Sequence, residues 1–374
     1  MTDLLAHFRA RADAMLDLLG ELTRRESFTA DKTHGDQLVD YLEDALGSFG
    51  AQTVRRLPQS EVADFLLAEW NPTAPGQPVL ALCHIDTVHP LGTLQKAPAR
   101  IDGPRFYAPG ALDMKAGAVI ALFALQSLHS QKRLARPVKL LLTTDEEIGS
   151  PHSRSVIEAE AAEAGLALAL EPATPEGALK TARKGCATFT LTIEGRPAHA
   201  GIAPQLGINA IIELARQALD INALNNLKYG TSVSVTQVTG GSAGNVIPAQ
   251  AQAHIDARAI TSAEMQRVER ALASLYPKMP GAKVRCQRLG FRPPMERQAG
   301  IFERAAKIAA RHGITLEEGA SGGGSDGNFT AALGIPTLDG LGAHGDGAHT
   351  LDEHIIIDSL PRQAAVVAAI LLDW

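Results

Sequence analysis

Three short apolar runs, separated by segments with helical periodicity, limit what this chain can fold into more than any other feature. The runs cover residues 79–83, 138–143 and 166–170, and a continuous apolar run of that length is typical of a buried strand. A helical run at 116–128 lies between the first two. Strands that alternate with helices predict an α/β fold with a doubly wound, mostly parallel sheet.

The residues before the first run are expected to be helical. Apolar residues recur at helical spacing from Leu4 to Leu22 and again from Leu38 to Phe49. Gly50 follows the second stretch and is a natural helix end. We therefore expect helices ahead of the first strand.

The hydrophobic pattern changes near residue 180. Apolar and polar residues alternate over 186–194, 232–238 and 251–257, which is typical of half-exposed antiparallel strands. Helical stretches lie near 206–224 and 262–276, and a short strand near 282–287. The order βαββαβ predicts a ferredoxin-like α+β domain. We expect it to occupy residues 182–291 and to be inserted into a catalytic domain formed by 1–181 and 292–374, in which a helix at 301–311 and a strand at 335–338 follow.

The composition excludes several classes of protein. Of the 374 residues, 45% are apolar and 20% are charged, so a large core is available and general disorder is not expected. The net charge of −6 argues against a nucleic-acid partner, which requires a basic surface. No apolar run reaches the roughly 18–20 residues of a membrane span, and the N-terminal residues lack the apolar stretch of a signal peptide. Since only three scattered cysteines are present, we expect no disulfide framework and a cytoplasmic protein.

Polar residues that suit a metal site follow directly after each apolar run. The carboxyl ends of neighbouring parallel strands line one crevice, where ligands bind, so these residues are expected to converge. Asp113 adds to them, because it precedes the helical run at 116–128. Each residue alone is more typical of a solvated loop or a helix cap, but the set at one sheet edge favours a site. Its other members are His84 and Asp86 after the first run, Asp145, Glu146 and Glu147 after the second, and Glu171 after the third.

Carboxylates gathered this closely need a counter-charge. They would repel one another, and some would have to take up protons. Divalent cations remove the conflict, and imidazole and carboxylate ligands without thiolate suit zinc, with manganese or cobalt as alternatives. One carboxylate can bridge two metal ions in hydrolytic enzymes.

These residues lie in segments that resemble the signature motifs of a known family. Segments 81–88, 110–117, 144–149, 170–172 and 347–353 are similar, in the same order, to those of the co-catalytic di-zinc amidohydrolases. That family includes glutamate carboxypeptidase (carboxypeptidase G), aminoacylase, acetylornithine deacetylase and succinyl-diaminopimelate desuccinylase. Segments 84–98, 197–201 and 321–326 most resemble the glutamate carboxypeptidase type.

The resemblance implies two zinc ions in each subunit. Asp113 would bridge them, His84 and Glu171 would complete one site, and Glu147 and His349 would complete the other. The segment 342–349 also contains His344, which is the alternative to His349; the spacing to the acid that follows favours His349.

The resemblance also implies the catalytic roles. Glu146 would be the general base that takes a proton from the attacking water, and Asp86 would orient the imidazole of His84, as metal-bound histidines usually require. It further implies a cis peptide bond between Asp113 and Met114.

Five residues of the second half of the chain are implied to contact the substrate. His199 would reach the active site of a partner subunit and stabilise the oxyanion. Asn245 and Arg258 would contact the terminal carboxylate of the substrate, with Arg292 as a weaker candidate, since arginine can bind a carboxylate with two parallel hydrogen bonds. Gly324, in a run of three glycines, would let the backbone approach the substrate.

The expected function is hydrolysis of the amide bond to a C-terminal amino acid of the glutamate type, with a free carboxylate. The substrate would be a small N-acyl amino acid or peptide, and the protein is expected to form a homodimer through the inserted domain. The alternatives are an N-acyl-amino-acid deacylase or a dipeptidase, and, in a different class, a metal-dependent binding protein without turnover. The presence of both Asp86 and Glu146 argues against that last alternative.

Overall fold

The computed structural model describes residues 3–374 and divides them into two compact units. The first comprises residues up to 182 together with 297–321 and 325–374, and the second comprises 183–296 and 322–324. The helices of the described residues are α1 (Leu4–Arg9), α2 (Ala12–Thr23), α3 (Lys32–Leu46), α4 (Thr93–Lys96), α5 (Ala116–Ser130), α6 (Arg154–Glu163), α7 (Ala210–Asn222), α8 (Ser262–Ala273), α9 (Ile301–Arg311), α10 (Gly327–Ala332) and α11 (Ser359–Asp373). The strands are β1 (Thr53–Leu57), β2 (Phe65–Trp70), β3 (Val79–His84), β4 (Arg100–Asp102), β5 (Arg105–Tyr107), β6 (Val138–Thr143), β7 (Leu166–Ala169), β8 (Leu179–Arg183), β9 (Gly185–Glu194), β10 (Ser232–Gly240), β11 (Gln250–Ala259), β12 (Lys283–Arg292), β13 (Glu318–Ser321), β14 (Thr337–Leu338), β15 (Gly345–Asp346) and β16 (His354–Ile356).

A mixed sheet forms the centre of the first unit. Its strand order is β1-β2-β6-β3-β7-β14. Strands β6, β3, β7 and β14 run parallel. At one edge, β2 pairs antiparallel with β6, and β1 pairs antiparallel with β2. The predicted α/β fold with a mostly parallel sheet is confirmed. Because the register pairs His84 with Thr143, strands β3 and β6 end at the same level.

Apolar side chains cover both faces of this sheet. Alternate residues of β3, such as Ala81 and Cys83, belong to a large core with helices α2, α5 and α11. The intervening residues, Leu80 and Leu82, lie on the other face with Ile157 of α6 and Phe329 of α10. Burial on both faces explains why these strands are continuous apolar runs in the sequence.

One segment bears on the expectation about membrane spans. The stretch Ala111–Ser130 is long and apolar enough to cross a membrane by length and composition alone. However, 89% of its most apolar window is buried inside the protein, and α5 packs against α11 and α2. Its apolar character is therefore that of a helix in the centre of a core.

The N-terminal helical region contains a break that the periodicity does not predict. The spacing from Leu4 to Leu22 continues across α1 and α2, but the chain leaves the helix at Ala10 and Arg11. Gly50 ends the turn after α3 in a left-handed conformation, with φ of 88°, as expected of glycine at a helix end. Strands β1 and β2, which follow it, were not predicted.

The second unit contains a four-stranded antiparallel sheet. Its elements follow the order β9, α7, β10, β11, α8, β12, and its strand order is β10-β11-β9-β12. Alternate residues of β9, such as Phe189 and Leu191, belong to one apolar cluster with residues of α7 and α8. The unit extends beyond the predicted range of 182–291, because β12 pairs with β9 as far as Arg292 and because residues 322–324 also belong to it.

Candidate metal centre

The central sheet brings residues from three of its strands to one edge. His84 is the last residue of β3, Glu146 and Glu147 lie in a short turn after β6, and Glu171 follows β7. Because β6, β3 and β7 are parallel neighbours, their carboxyl ends meet, as the sequence predicts for these residues.

Asp113 lies between two histidines. The distance from His84 Nε2 to Asp113 Oδ1 is 3.1 Å, and that from His349 Nε2 to Asp113 Oδ2 is 3.2 Å. Each carboxylate oxygen therefore faces a different imidazole. This is the arrangement expected of a carboxylate shared by two cations.

Two further carboxylates complete the cluster on opposite sides of Asp113. Glu171 Oε1 lies 3.6 Å from His84 Nε2, and Glu147 Oε2 lies 3.3 Å from His349 Nε2. His84, Glu146 and Glu171 each offer a ligand atom within 4.8 Å of the others, and so do His84, Asp113 and Glu147. The residues predicted as ligands and as the base thus lie together in the first unit.

The electrostatic state of the cluster reflects this crowding. Burial alone would raise the pKa of Asp113, but hydrogen bonds from His349 and His84 hold it well below its usual range. Hydrogen bonds to Asp113 and Glu147 raise the pKa of His349 to about 10. Burial raises the pKa of Glu147. The carboxylates around each imidazole thus favour its charged form.

Asp86 organises the segment beneath the cluster. It is buried, and its Oδ1 lies 3.3 Å from His84 Nδ1. The same carboxylate accepts hydrogen bonds from the backbone N–H groups of Glu146 and Glu147, at 3.3 and 3.2 Å, and from the hydroxyl of Thr29 at 2.7 Å. Asp86 therefore holds both the imidazole of His84 and the turn that carries the two glutamates. The contribution of Thr29 was not predicted, because it comes from a distant part of the chain.

The turn that carries Asp113 is irregular. Asp113 and Met114 depart from helical backbone angles, and the peptide bond between them is cis, as the resemblance implies. Glu353 is buried and accepts backbone hydrogen bonds from this turn. Lys115 is buried too, donates to the carbonyl oxygens of Leu22 and Arg25, and has its pKa lowered to about 7 by burial. The roles of Glu353 and Lys115 were not predicted; their signal in the sequence was their place in the motif segments 347–353 and 110–117.

His344, the alternative to His349, lies outside the cluster. Its Nδ1 is buried and makes no hydrogen bond within residues 3–374, and it faces Gly177. Burial lowers its pKa. His349 instead adopts a left-handed backbone conformation, with φ of 65°, which is uncommon for a residue other than glycine.

The donor set fits divalent cations. Two imidazoles and four carboxylates converge, and the neighbouring Cys83 supplies no thiolate, because burial raises the pKa of its thiol. Glu147 Oε1 is buried and has no hydrogen-bond partner in the described chain. A buried carboxylate oxygen without a donor is costly, and a cation would satisfy it. Imidazole and carboxylate ligands of this kind suit zinc.

In the second unit, the predicted arginines lie beside the run of three glycines. Arg258 and Arg292 pair with the same residue of β9, Cys186, from opposite sides. Arg258 donates to the carbonyl oxygen of Gly322, and a side chain at Gly324 would meet Arg292 at 2.7 Å. Arg183, which was not predicted, is buried and donates to the carbonyl oxygens at positions 323 and 324. Two arginines therefore donate hydrogen bonds to the glycine run, and the side chain of Arg292 lies beside it.

His199 and Asn245 lie in two adjoining loops of the second unit. The backbone of His199 forms a bridge with Val246, and the N–H of Ala200 donates to the carbonyl oxygen of Asn245. His199 Nδ1 accepts from the N–H groups of Gly201 and Ile202 at 3.1 Å, which leaves Nε2 as the donor of an exposed ring. The structure thus places His199 beside Asn245 and Arg258 near Arg292.

Comparisons with known proteins agree with this site. A family model described as Peptidase family M20/M25/M40 matches residues 80–373. Carboxypeptidase G2 from Pseudomonas sp. (strain RS-16) is 29% identical over 378 residues, which cover 98% of this chain and 91% of that protein. Succinyl-diaminopimelate desuccinylase from Thioalkalivibrio sulfidiphilus is 28% identical over 380 residues, which cover 95% of this chain and 97% of that protein.

A solved structure shows the same fold. The M20 family metallo-carboxypeptidase Sso-CP2 from Sulfolobus solfataricus matches with a TM-score of 0.75 at 20% identity, covering 96% of this chain and 98% of that one. The matching family model covers well over half of the sequence. The chain therefore belongs to peptidase family M20/M25/M40.

Proposed function

We propose that this protein is a di-zinc hydrolase that cleaves the amide bond to a C-terminal amino acid with a free carboxylate, with glutamate preferred. The observation that carries the proposal is the position of Asp113, whose two carboxylate oxygens face His84 and His349 at 3.1 and 3.2 Å. The similarity to carboxypeptidase G2 over nearly the whole chain supports the glutamate-type substrate. Cobalt or manganese are alternatives to zinc.

The ligand roles follow from the contacts. His84 and Glu171 would hold one zinc ion, His349 and Glu147 the other, and Asp113 both. Bound zinc would polarise the scissile carbonyl and lower the pKa of water. Glu146 would take the proton from that water and pass it to the leaving amine nitrogen. Its position beside His84 and Glu171 supports this role.

The residues of the second unit would recognise the substrate. Arg258 and Arg292 would bind the free carboxylate, assisted by Asn245 and by the backbone at Gly324, and His199 would donate to the oxyanion. The contacts of both arginines with the glycine run support a shared carboxylate site.

A homodimer is part of this proposal, because the role of His199 requires a partner subunit. Helix α7 exposes apolar side chains, including Ile212 and Leu219, of which Leu219 is 72% exposed. Strand β10 is an edge strand that pairs only with β11 among the described strands. An uncovered apolar helix face beside a free strand edge is typical of an interface between subunits.

Light scattering tests the dimer directly. Wild-type protein should have the mass of two chains, and Leu219→Lys should reduce it to one. Leu289→Lys serves as a control, because Leu289 is also exposed, at 58%, but lies on β12. A wild-type mass of one chain under active conditions would contradict the dimer and the proposed role of His199.

The relatives favour one alternative, N-acyl-amino-acid deacylation. Succinyl-diaminopimelate desuccinylases match this chain with coverage similar to that of carboxypeptidase G2. A dipeptidase and a non-catalytic metal-binding protein remain as further outcomes. We place the protein in the cytoplasm, which its three free cysteines support.

The deciding experiment combines metal analysis with a hydrolysis screen. The purified protein should contain about two zinc ions per chain, and it should hydrolyse N-acyl glutamates faster than N-acetyl amino acids, succinyl-diaminopimelate or dipeptides. Glu146→Gln should retain the metal and lose turnover by at least about 1,000-fold. Turnover near the wild-type rate in that variant would refute the role of Glu146, and a different preferred substrate would refute the glutamate assignment alone.

A further inference from the structure

Glu353 is a buried carboxylate surrounded by N–H donors. It is 1% exposed. Its Oε1 accepts hydrogen bonds from the backbone N–H groups of Leu112 and Asp113, at 2.8 and 3.0 Å. Its Oε2 accepts from the N–H of Gly110 and lies 2.9 Å from His89 Nε2. Burying a carboxylate is costly unless it is hydrogen-bonded, and these four bonds offset that cost.

The backbone that Glu353 binds is an irregular turn ahead of α5. Asp113 and Met114 have non-helical φ/ψ values between Ala111 and the start of α5. Their N–H groups are therefore not placed for the hydrogen bonds of a regular helix. The N–H of Asp113 instead donates to the carboxylate of Glu353. The orientation of the Asp113 side chain, which faces both histidines, depends on this short turn.

Glu353 also belongs to the segment that carries His349. His349 and Glu353 both lie between β15 and β16. This loop is tight, because Glu353 donates its N–H to Thr350 and the N–H of Thr350 bonds to Gly347. The carboxylate of Glu353 therefore ties the loop of His349 to the turn of Asp113.

We infer that Glu353 is a positioning residue that sets the placement of Asp113 relative to His349, and so determines the affinity of the cation site that His349 and Glu147 form. The inference rests on the proposed function, since it takes these residues as ligands. Glu353 itself contacts neither the cation nor the substrate. Its effect passes through the three backbone N–H groups and the loop of residues 347–353.

The direct test is Glu353→Gln. The amide keeps an oxygen for the N–H groups of Leu112 and Asp113, but its NH₂ group must then face the N–H of Gly110, which cannot accept. We expect the variant to bind a first Co²⁺ ion with wild-type affinity. The second Co²⁺ ion should bind about ten-fold more weakly, with an altered visible absorption spectrum, when metal-free protein is titrated.

A matched control separates this effect from loss of stability. Glu213 is also fully buried and accepts hydrogen bonds from the backbone N–H groups of Lys278 and Met279 and from Gln217, but it lies in the second unit. Glu213→Gln should lower the unfolding temperature of metal-free protein and leave both Co²⁺ affinities and the spectrum unchanged. If Glu353→Gln also lowered only the unfolding temperature and left both Co²⁺ affinities and the spectrum unchanged, the role of Glu353 would be merely structural and the inference would be overturned.

A second pair of variants decides the matter if Glu353→Gln does not fold. His89→Phe removes one of the four donors, and His89→Gln restores an N–H at the position of Nε2. His89→Phe should weaken binding of the second Co²⁺ ion about three-fold. His89→Gln should restore wild-type binding of that ion. Equal affinities in both variants and the wild type would overturn the inference. A wild-type protein that binds fewer than two Co²⁺ ions would overturn the proposed function and this inference together.

Discussion

Asp86→Asn keeps the shape of a buried side chain, removes its charge and perturbs both His84 and the turn of the two glutamates. The carboxylate of Asp86 faces four donors. Oδ1 faces His84 Nδ1 and the N–H of Glu146, and Oδ2 faces the hydroxyl of Thr29 and the N–H of Glu147. An amide offers an acceptor on one side only, so two of these donors must face its NH₂ group.

The magnitude follows from the better of the two amide orientations. With NH₂ on the Oδ2 side, the hydroxyl of Thr29 can turn and accept, but the N–H of Glu147 loses its acceptor. An unsatisfied buried N–H costs about 1–3 kcal/mol, and the bond to His84 weakens because a neutral acceptor replaces a charged one. A total of about 2 kcal/mol corresponds to roughly 30-fold.

The assay is competition for zinc between the metal-free protein and a chromophoric chelator, together with the turnover rate. We expect Asp86→Asn to lower zinc affinity about 30-fold. The control, Thr29→Val, removes one donor and keeps the charge, so its loss should stay near 1 kcal/mol, about five-fold. Wild-type zinc affinity in Asp86→Asn would refute the argument that Asp86 holds His84 and the glutamate turn for metal binding.

Three other perturbations have defined outcomes. Removal of the metal with a chelator should abolish hydrolysis, and added zinc should restore it. Calorimetry should show a lower unfolding temperature for the metal-free protein, because a cation at 1,000 times its Kd adds about 4 kcal/mol of stability. An unchanged unfolding temperature would contradict a contribution of the metal to stability. Burial alone would raise the pKa of Asp64. However, hydrogen bonds from the Lys32 side chain, the backbone N–H of Gln59 and the Arg56 side chain lower this pKa from 3.8 to about 2. Its contribution to stability is therefore present above pH 3.8 and is lost as the pH falls through about 2. Between pH 3.8 and about 2, the free energy of unfolding in urea should fall by about 1 kcal/mol less in Asp64→Asn than in the wild type. An equal fall in both proteins would contradict this prediction. Gly117→Ala would place a Cβ atom 2.0 Å from the carbonyl oxygen of Leu170, so it should cost about 1–3 kcal/mol in urea unfolding, whereas Gly47→Ala, with nothing within 4 Å, should not.

The parts of the fold that the sequence predicts are those with strong one-dimensional patterns. Strand β6 and helix α9 have the predicted bounds, because burial on both faces of a strand or along one helix face fixes the pattern locally. Strand β1 contains no fully buried residue, so its sequence carries no such signal. The antiparallel addition of β2 to β6 depends on a long-range pairing, which periodicity does not contain.

The candidate site divides in the same way. His84, Glu147 and Glu171 were predicted to converge because each follows a predicted parallel strand. The partners that hold them were not, because the bonds of Thr29 to Asp86 and of Glu353 to Asp113 join residues far apart in the chain. The roles of Asp113 and His349 came from the motifs that surround them and not from any pattern of burial.

The order of the proposed metal ligands along the chain has a consequence for how the protein matures. Between His84 and His349 lie β6, β7 and all of the second unit, and only β16 and α11 follow His349. During synthesis, the carboxylates of the cluster therefore emerge long before the imidazole of His349. If the proposed ligands hold zinc, metal loading would be a late event, completed only after both units have been translated, and a zinc-starved cell would accumulate empty protein.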